Sequence, residues 1–204
     1  NQMSSCLATD RLASSTPYVI FLAVKAILCY VALCLLILHL KIHGVRWLAH
    51  SNSMIVFAAY LGCNVTVAAA YGFVYSIDSL RLWLGGPCAL IDFRLIFLLR
   101  GVGSIAIRTQ IIYAFVLSLE RFYSSLFPIE FECCKCVALS VAAVVVSLFI
   151  STTIIVGVFV PLADFSSLVP TTNLIQGKTG DGYQTMIYFE IGMEVAAIVM
   201  FHLG

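Results

Sequence analysis

The chain has 204 residues and a formal net charge of +1; 62% of its residues are hydrophobic and only 10% are charged. A soluble domain carries roughly a quarter charged residues, so the composition excludes an ordinary soluble protein, and the absence of a Lys/Arg cluster gives no support to nucleic-acid binding. Apolar runs of about 20 residues recur, which is the length of helix that crosses a bilayer. The sequence therefore predicts an all-α, polytopic bundle of transmembrane helices, with the lipid bilayer as its surroundings.

A polar tail, residues 1–17, precedes the apolar runs. We expect transmembrane spans at about 18–39, 54–75, 88–121, 137–160 and 183–204. The third is too long for an upright helix and is expected to tilt. Between the second and third runs, the segment SIDSLRLWLGGP ends in Gly-Gly-Pro and predicts a turn. The fifth run reaches Gly204 within hydrophobic sequence. We therefore expect that these residues are the N-terminal part of a longer protein, whose C-terminal spans are missing from this chain.

Basic residues in short loops mark the cytoplasmic side of a membrane protein. The side of the first and third loops holds Lys41, Arg46, Arg121 and Lys135, and the opposite side holds Arg11, Arg81 and Lys178. This small excess favours a multi-pass protein with its N-terminus outside, and we expect the plasma membrane as its location.

The third run contains IDFRLIFLLRGVGSIAIR, which carries four charged residues at membrane depth. On a helix, Asp92 lies on one face, Arg94 and Arg108 lie on the opposite face, and Arg100 lies between them. Such groups persist in a membrane where they are paired or face a wet cavity. The pattern therefore predicts that the third helix is central, with protein or water on every side.

Glu190 and Glu194 share a face of the fifth run because they are four residues apart. Counted from the outer ends, Glu190 is about as deep as Arg94, and Glu194 is about as deep as Arg100. If the third and fifth helices are neighbours, two interhelical ion pairs follow.

Two roles are open for these charges: they satisfy one another, or they line a ligand-binding cavity. The pocket candidates are Asp92, Arg94, Arg100, Glu190 and Glu194. Lys25 either extends to the outer interface or joins the same cavity. At the inner end of the third helix, Glu120 and Arg121 form either a switch that pairs in one state and releases in another, or an interfacial anchor.

Several short motifs occur in a fixed order. They are CLATDRLASS (6–15), HSNSMI (50–55), GPCALIDFRLIFLLR (86–100), LERF (119–122) and FE (131–132). In order and spacing they resemble the nematode serpentine chemoreceptors of the Sra superfamily, closest to the Srab (class AB) group, which are of the seven-transmembrane, G-protein-coupled receptor type.

The resemblance implies a chemosensory receptor in a sensory-neuron membrane. Such a receptor binds a small-molecule ligand from outside and signals to a heterotrimeric G protein, with Glu120 and Arg121 as the inner switch. Many receptors of this broad type tie the third-helix cysteine to the following outer loop, but residues 162–182 contain no cysteine. Cys6 is the only other cysteine predicted to lie outside, so a Cys6–Cys88 disulfide is expected.

Other motifs give weaker indications. Cys133, Cys134 and Cys136 lack the further ligands of a zinc site, which leaves palmitoylation or free thiols open. Asn64 falls mid-membrane and predicts an interhelical hydrogen bond. No nucleophile–base pair, phosphate loop or HExxH motif indicates an enzyme, and no cofactor or metal is predicted.

Two alternatives to the receptor remain. One is a transporter that uses the buried charges, and the other is a purely structural multi-span protein.

Overall fold

The computed structural model describes residues 16–43, 51–85, 91–129, 137–159, 168–169 and 181–203. These ranges contain five long helices: α1 (Thr16–His43), α2 (Ser51–Gly85), α3 (Phe93–Leu126), α4 (Val137–Phe159) and α5 (Asp181–Leu203). The predicted all-α helical bundle is confirmed. We call the end of the bundle at which α1, α3 and α5 begin the outer end, following the predicted orientation, and the opposite end the inner end.

Four of the helices, α1 to α4, are long and apolar enough to cross a bilayer. Within the described part of α5, the apolar stretch is shorter and runs from Ile191 to Leu203. Large apolar side chains such as Leu28, Leu139 and Phe149 are exposed on the helix surfaces. These surfaces suit contact with lipid tails, which are as apolar as leucine. The chain is therefore a multi-pass membrane protein.

Hydroxyl side chains within the spans are satisfied mostly by their own helix. Thr109 donates to the carbonyl of Ile105 at 2.8 Å, and Ser118 donates to that of Ala114 at the same distance. The same bond to the residue four positions earlier recurs at Thr66, Ser76, Ser147, Thr152 and Thr153. Since a bilayer core holds no water to bond these groups, internal bonding makes serine and threonine tolerable there.

The centre of the bundle is α3, which packs against α2, α4 and α5, while α1 packs against α2. The expectation that the third helix is central, drawn from its charges, is confirmed. Its contact with α4 includes a hydrogen bond from the Tyr113 hydroxyl to the carbonyl of Val144 at 3.1 Å. Tyr113 is only 3% exposed, so this bond satisfies a buried phenol.

At the outer end, a short backbone ladder ties the connection between α4 and α5 to the start of α3. Strand β1 (Ile91–Asp92) pairs antiparallel with β2 (Leu168–Val169), with Ile91 opposite Val169. The ladder places Leu168 and Val169 beside the start of the central helix.

The second helix is longer than its apolar run. It continues to Gly85, through the segment predicted to be a turn. The physical reason is that Asp78 and Arg81, three residues apart, interact with each other at 3.4 Å along the helix, so the polar residues do not require a loop. The third helix likewise continues past Arg121 to Leu126.

The helices α2 and α3 pack closely at Gly103. A Cβ atom at Gly103 would lie 2.8 Å from the ring of Tyr71, whereas one at Gly101 would meet nothing within 4 Å. The Tyr71 hydroxyl is also 3.5 Å from the Ser104 hydroxyl. The missing side chain of Gly103 is therefore what lets the two helices pack closely.

We expect Gly103→Ala to destabilise the protein by about 1–3 kcal/mol, because the added methyl group must displace the Tyr71 ring. The matched Gly101→Ala variant should be neutral or slightly stabilising, since alanine favours a helix by about 0.5–1 kcal/mol relative to glycine. Thermal unfolding of the purified protein in detergent measures both. Equal melting temperatures for the two variants would contradict the close approach at Gly103.

Candidate functional site

A cavity of about 450 Å³ lies between the inner ends of α2, α3 and α5. Its apolar wall includes Phe57, Tyr60, Ala114, Leu117 and Phe201, and its polar wall includes Ser53, Ser118, Glu120, Arg121 and Ser124. It thus combines an apolar interior with a carboxylate, a guanidinium and three hydroxyl groups. Its volume lies in the range of small-ligand pockets.

Glu120 and Arg121 contact two different helices across this cavity. The Ser53 hydroxyl of α2 donates to Glu120 Oε1 at 2.8 Å. The Arg121 guanidinium lies over the ring of Phe201 in α5, 4.3 Å from its centre. Consecutive helical residues do not face each other, and the described side chains include no ion pair between Glu120 and Arg121. The pair therefore connects α3 to α2 and α5 separately.

The predicted pocket between α3 and α5 is only partly realised. The two helices are neighbours, but no ion pair joins Arg100 to Glu194 among the side chains that the structure describes. Glu194 is exposed, because α5 buries the face that carries Ala197. Arg94 is exposed as well. The side chains of Asp92 and Glu190 lie outside the described part, so an Arg94–Glu190 pair stays a prediction.

A different group of charged residues converges in the outer half of the bundle, on α1, α2 and α3. Its centre is Tyr75, which lies within electrostatic range of Arg100 and Asp78. The Lys25 ammonium is 5.3 Å from the centre of the Tyr75 ring, and Arg81 lies beside Asp78. We call these five residues, Lys25, Tyr75, Asp78, Arg81 and Arg100, the Tyr75 cluster.

The sequence does not predict this cluster, because the polar segment 76–87 indicates a turn. The available signal was the three-residue spacing of Asp78 and Arg81, which is a helical pair spacing. Both side chains are one tenth exposed or less, so an opposite charge at short range is the arrangement that makes their burial tolerable.

Other predicted positions have simpler surroundings. Arg108 donates to the carbonyl of Ser104 at 3.4 Å, one turn earlier in its own helix. Asn64 donates to the carbonyl of Tyr60 at 2.9 Å. The prediction of an interhelical hydrogen bond for Asn64 is therefore wrong, because its short amide reaches its own backbone first.

Several predicted cysteine sites fall outside the described residues: Cys6, Cys88, Cys133, Cys134 and Cys136. Within the described ranges, Cys29, Cys34 and Cys63 are free thiols. No group of His, Cys, Asp and Glu in those ranges is arranged to hold a metal ion.

Comparison with known proteins adds no relative. No protein-family model matches the chain, and no curated protein matches it.

We expect Asp78→Ala to lower the free energy of unfolding by about 3 kcal/mol, because it leaves the buried Arg81 without its carboxylate. The double variant Asp78→Ala/Arg81→Leu should be less destabilised than the sum of the single variants. Glu194→Gln is the matched control on an exposed acid and should change stability by less than about 0.5 kcal/mol. The measurement is equilibrium unfolding of five proteins: the unaltered protein, Asp78→Ala, Arg81→Leu, the double variant and Glu194→Gln. Additive effects of the two single substitutions would contradict the pairing of Asp78 with Arg81.

Proposed function

We propose that the chain is the core of a seven-transmembrane chemosensory receptor, which binds a small ligand at its outer side and signals to a heterotrimeric G protein at its inner side. The observation that carries the proposal is the inner cavity, with Glu120 and Arg121 held by two different helices. The order and spacing of the sequence motifs support the same class.

The inner contacts differ in strength and kind. The bond from Ser53 to Glu120 is a charge-assisted hydrogen bond of 2.8 Å, while Arg121 and Phe201 make a cation–π contact. A shift of α5 relative to α3 breaks the second contact and leaves the first intact. The arrangement therefore supports a two-state element in which α2 and α3 stay together while α5 moves and frees Arg121.

The cavity also has suitable chemistry for a protein partner. In the proposed orientation it faces the cytoplasm, and its apolar wall of Phe57, Tyr60 and Leu117 lies beside the Arg121 guanidinium. An apolar pocket with an arginine at its rim resembles the anchoring centres of protein–protein interfaces. The released Arg121 would then contact the G protein.

A transporter is the second candidate, and the Tyr75 cluster is the observation that favours it. Charges at membrane depth mark ion or substrate pathways as well as ligand pockets. The two functions separate in proteoliposomes without a G protein, where a transporter accumulates a labelled organic anion or cation and a receptor does not.

The proposal predicts opposite effects of two inner-end substitutions in the full-length protein. Arg121→Ala should reduce G-protein activation, because it removes the cation that contacts the partner. Phe201→Leu should raise basal activation about fivefold, because the lost cation–π contact is worth about 1 kcal/mol. The measurement is uptake of a non-hydrolysable GTP analogue by a panel of heterotrimeric G proteins, per receptor at the cell surface.

Phe149→Leu is the matched control, since Phe149 is exposed on α4 and contributes nothing to the cavity lining. It should leave GTP-analogue uptake unchanged. If Arg121→Ala lowers only the surface level, and uptake per receptor stays at the original value, the switch role of Arg121 is wrong.

A further inference from the structure

Lys25 is the cation of the Tyr75 cluster with the most unusual surroundings. Its ammonium lies 4.4 Å from the centre of the Phe21 ring and 5.3 Å from that of Tyr75. Phe21 is one turn closer to the outer end of α1, so the side chain points outward along its helix. At 1.5 Å per residue, the Lys25 backbone is about 13 Å from the start of α1, which is well inside an apolar helix.

Among the described residues, the Lys25 ammonium lies over these two rings and takes part in no ion pair or hydrogen bond. The Cys29 thiol, one turn further along α1, is also within its electrostatic range. Ring faces attract a cation by about 0.5–2 kcal/mol. A charge at the centre of a bilayer costs at least about 2.5 kcal/mol. The rings therefore orient the ammonium without fully offsetting its transfer from water, and an anion is the missing complement.

The neighbouring acid does not supply that anion. Asp78 is 4% exposed, and its carboxylate lies 3.4 Å from Arg81. Arg100 is a second cation within electrostatic range of Tyr75. Asp78 is the one carboxylate described within electrostatic range of Tyr75, and it forms an ion pair with Arg81 but none with Lys25.

The approach to Lys25 is apolar. Phe21 is 52% exposed, and Leu28, one turn further along α1, is 61% exposed. A molecule that reaches the ammonium along this side of α1 passes over aromatic and aliphatic carbon. This favours a ligand whose anionic group is attached to a hydrocarbon body, over a small hydrophilic anion.

We propose that Lys25 binds the carboxylate of a lipophilic organic acid, with the rings of Phe21 and Tyr75 holding the ammonium in place. The site uses the α1–α2–α3 side of the bundle instead of the α3–α5 side indicated by the sequence. The Lys25 proposal names the ligand class of the receptor proposed above. It rests on the receptor function only in assigning ligand binding to the outer half of the bundle.

The test is binding of radiolabelled decanoate to the purified full-length protein in phosphatidylcholine nanodiscs, with empty nanodiscs as the background. Lys25→Met should weaken decanoate binding at least about tenfold, because it removes a charge-assisted contact. Lys25→Arg keeps the charge and should retain most of the binding. Lys41→Met, at the opposite end of the same helix and also exposed, is the matched control and should bind like the unaltered protein.

Two competitors test the ligand class without any substitution. Unlabelled decanoate should displace the label, while decanol, which has the same tail and no charge, should displace it at least about tenfold less well. Acetate, which has the same head group without the tail, should also compete weakly. Displacement by decanol as strong as by decanoate would show a purely apolar groove and overturn the proposal.

The proposal is also overturned if the unaltered protein shows no saturable decanoate binding, or if Lys25→Met binds decanoate as tightly as Lys41→Met does. Because the nanodiscs hold no G protein, these outcomes are independent of signalling. Absent binding together with intact GTP-analogue uptake removes only the Lys25 site. Binding that depends on Lys25, with no uptake across the G-protein panel, removes the receptor function and leaves the site in place.

Discussion

The close contact of α2 with α3 at Gly103 is the packing constraint on which the other features depend. Because Gly103 has no side chain, the Tyr71 ring lies directly against α3. One turn further along α2, Tyr75 comes within range of Arg100. At the other end of the same helix pair, Ser53 reaches Glu120. One interhelical distance therefore positions both the Tyr75 cluster and part of the inner cavity.

The two ends of the bundle use charge differently. In the outer half, Lys25 of α1 and Arg100 of α3 lie near Tyr75 of α2, and the described acid in this cluster, Asp78, is beside Arg81. At the inner end, one acid and one cation follow each other in sequence and contact opposite neighbours. Lysine and arginine side chains suit recognition of an anion. An acid and a cation that contact different helices suit a connection that breaks and re-forms when those helices move. This division is the physical basis for assigning ligand binding to one end and signalling to the other.

The sequence predicts the architecture well, because long apolar runs have few alternatives in a bilayer. It also predicts the central place of α3, since charges on several sides of one helix require protein or water all round. The prediction from sequence is wrong where a polar side chain finds its partner within its own helix. Asp78 and Arg81 indicated a loop, yet they pair within α2. Asn64 indicated an interhelical bond, yet it bonds its own helix.

The predicted pairing of Arg100 with Glu194 failed for another reason. Depth along two helices is readable from residue counts, but the rotation of α5 about its axis is not. In the structure, Ala197 of α5 is buried and Glu194 is exposed. The position of Lys25 beside Tyr75 likewise depends on the α1–α2 contact, where Gly72 lies against Cys29 and Tyr30. No single run of sequence contains that information.

The self-bonded hydroxyl groups have a mechanical consequence. Since Thr109, Ser118 and Ser147 each bond to their own backbone, these side chains form no polar link that must break when one helix slides along another. Resistance to sliding is then concentrated in a few cross-helix bonds, such as Tyr113 to Val144 and Ser53 to Glu120. Small axial displacements of the helices therefore require only these few bonds to break, and not the bonds of the self-bonded hydroxyl groups.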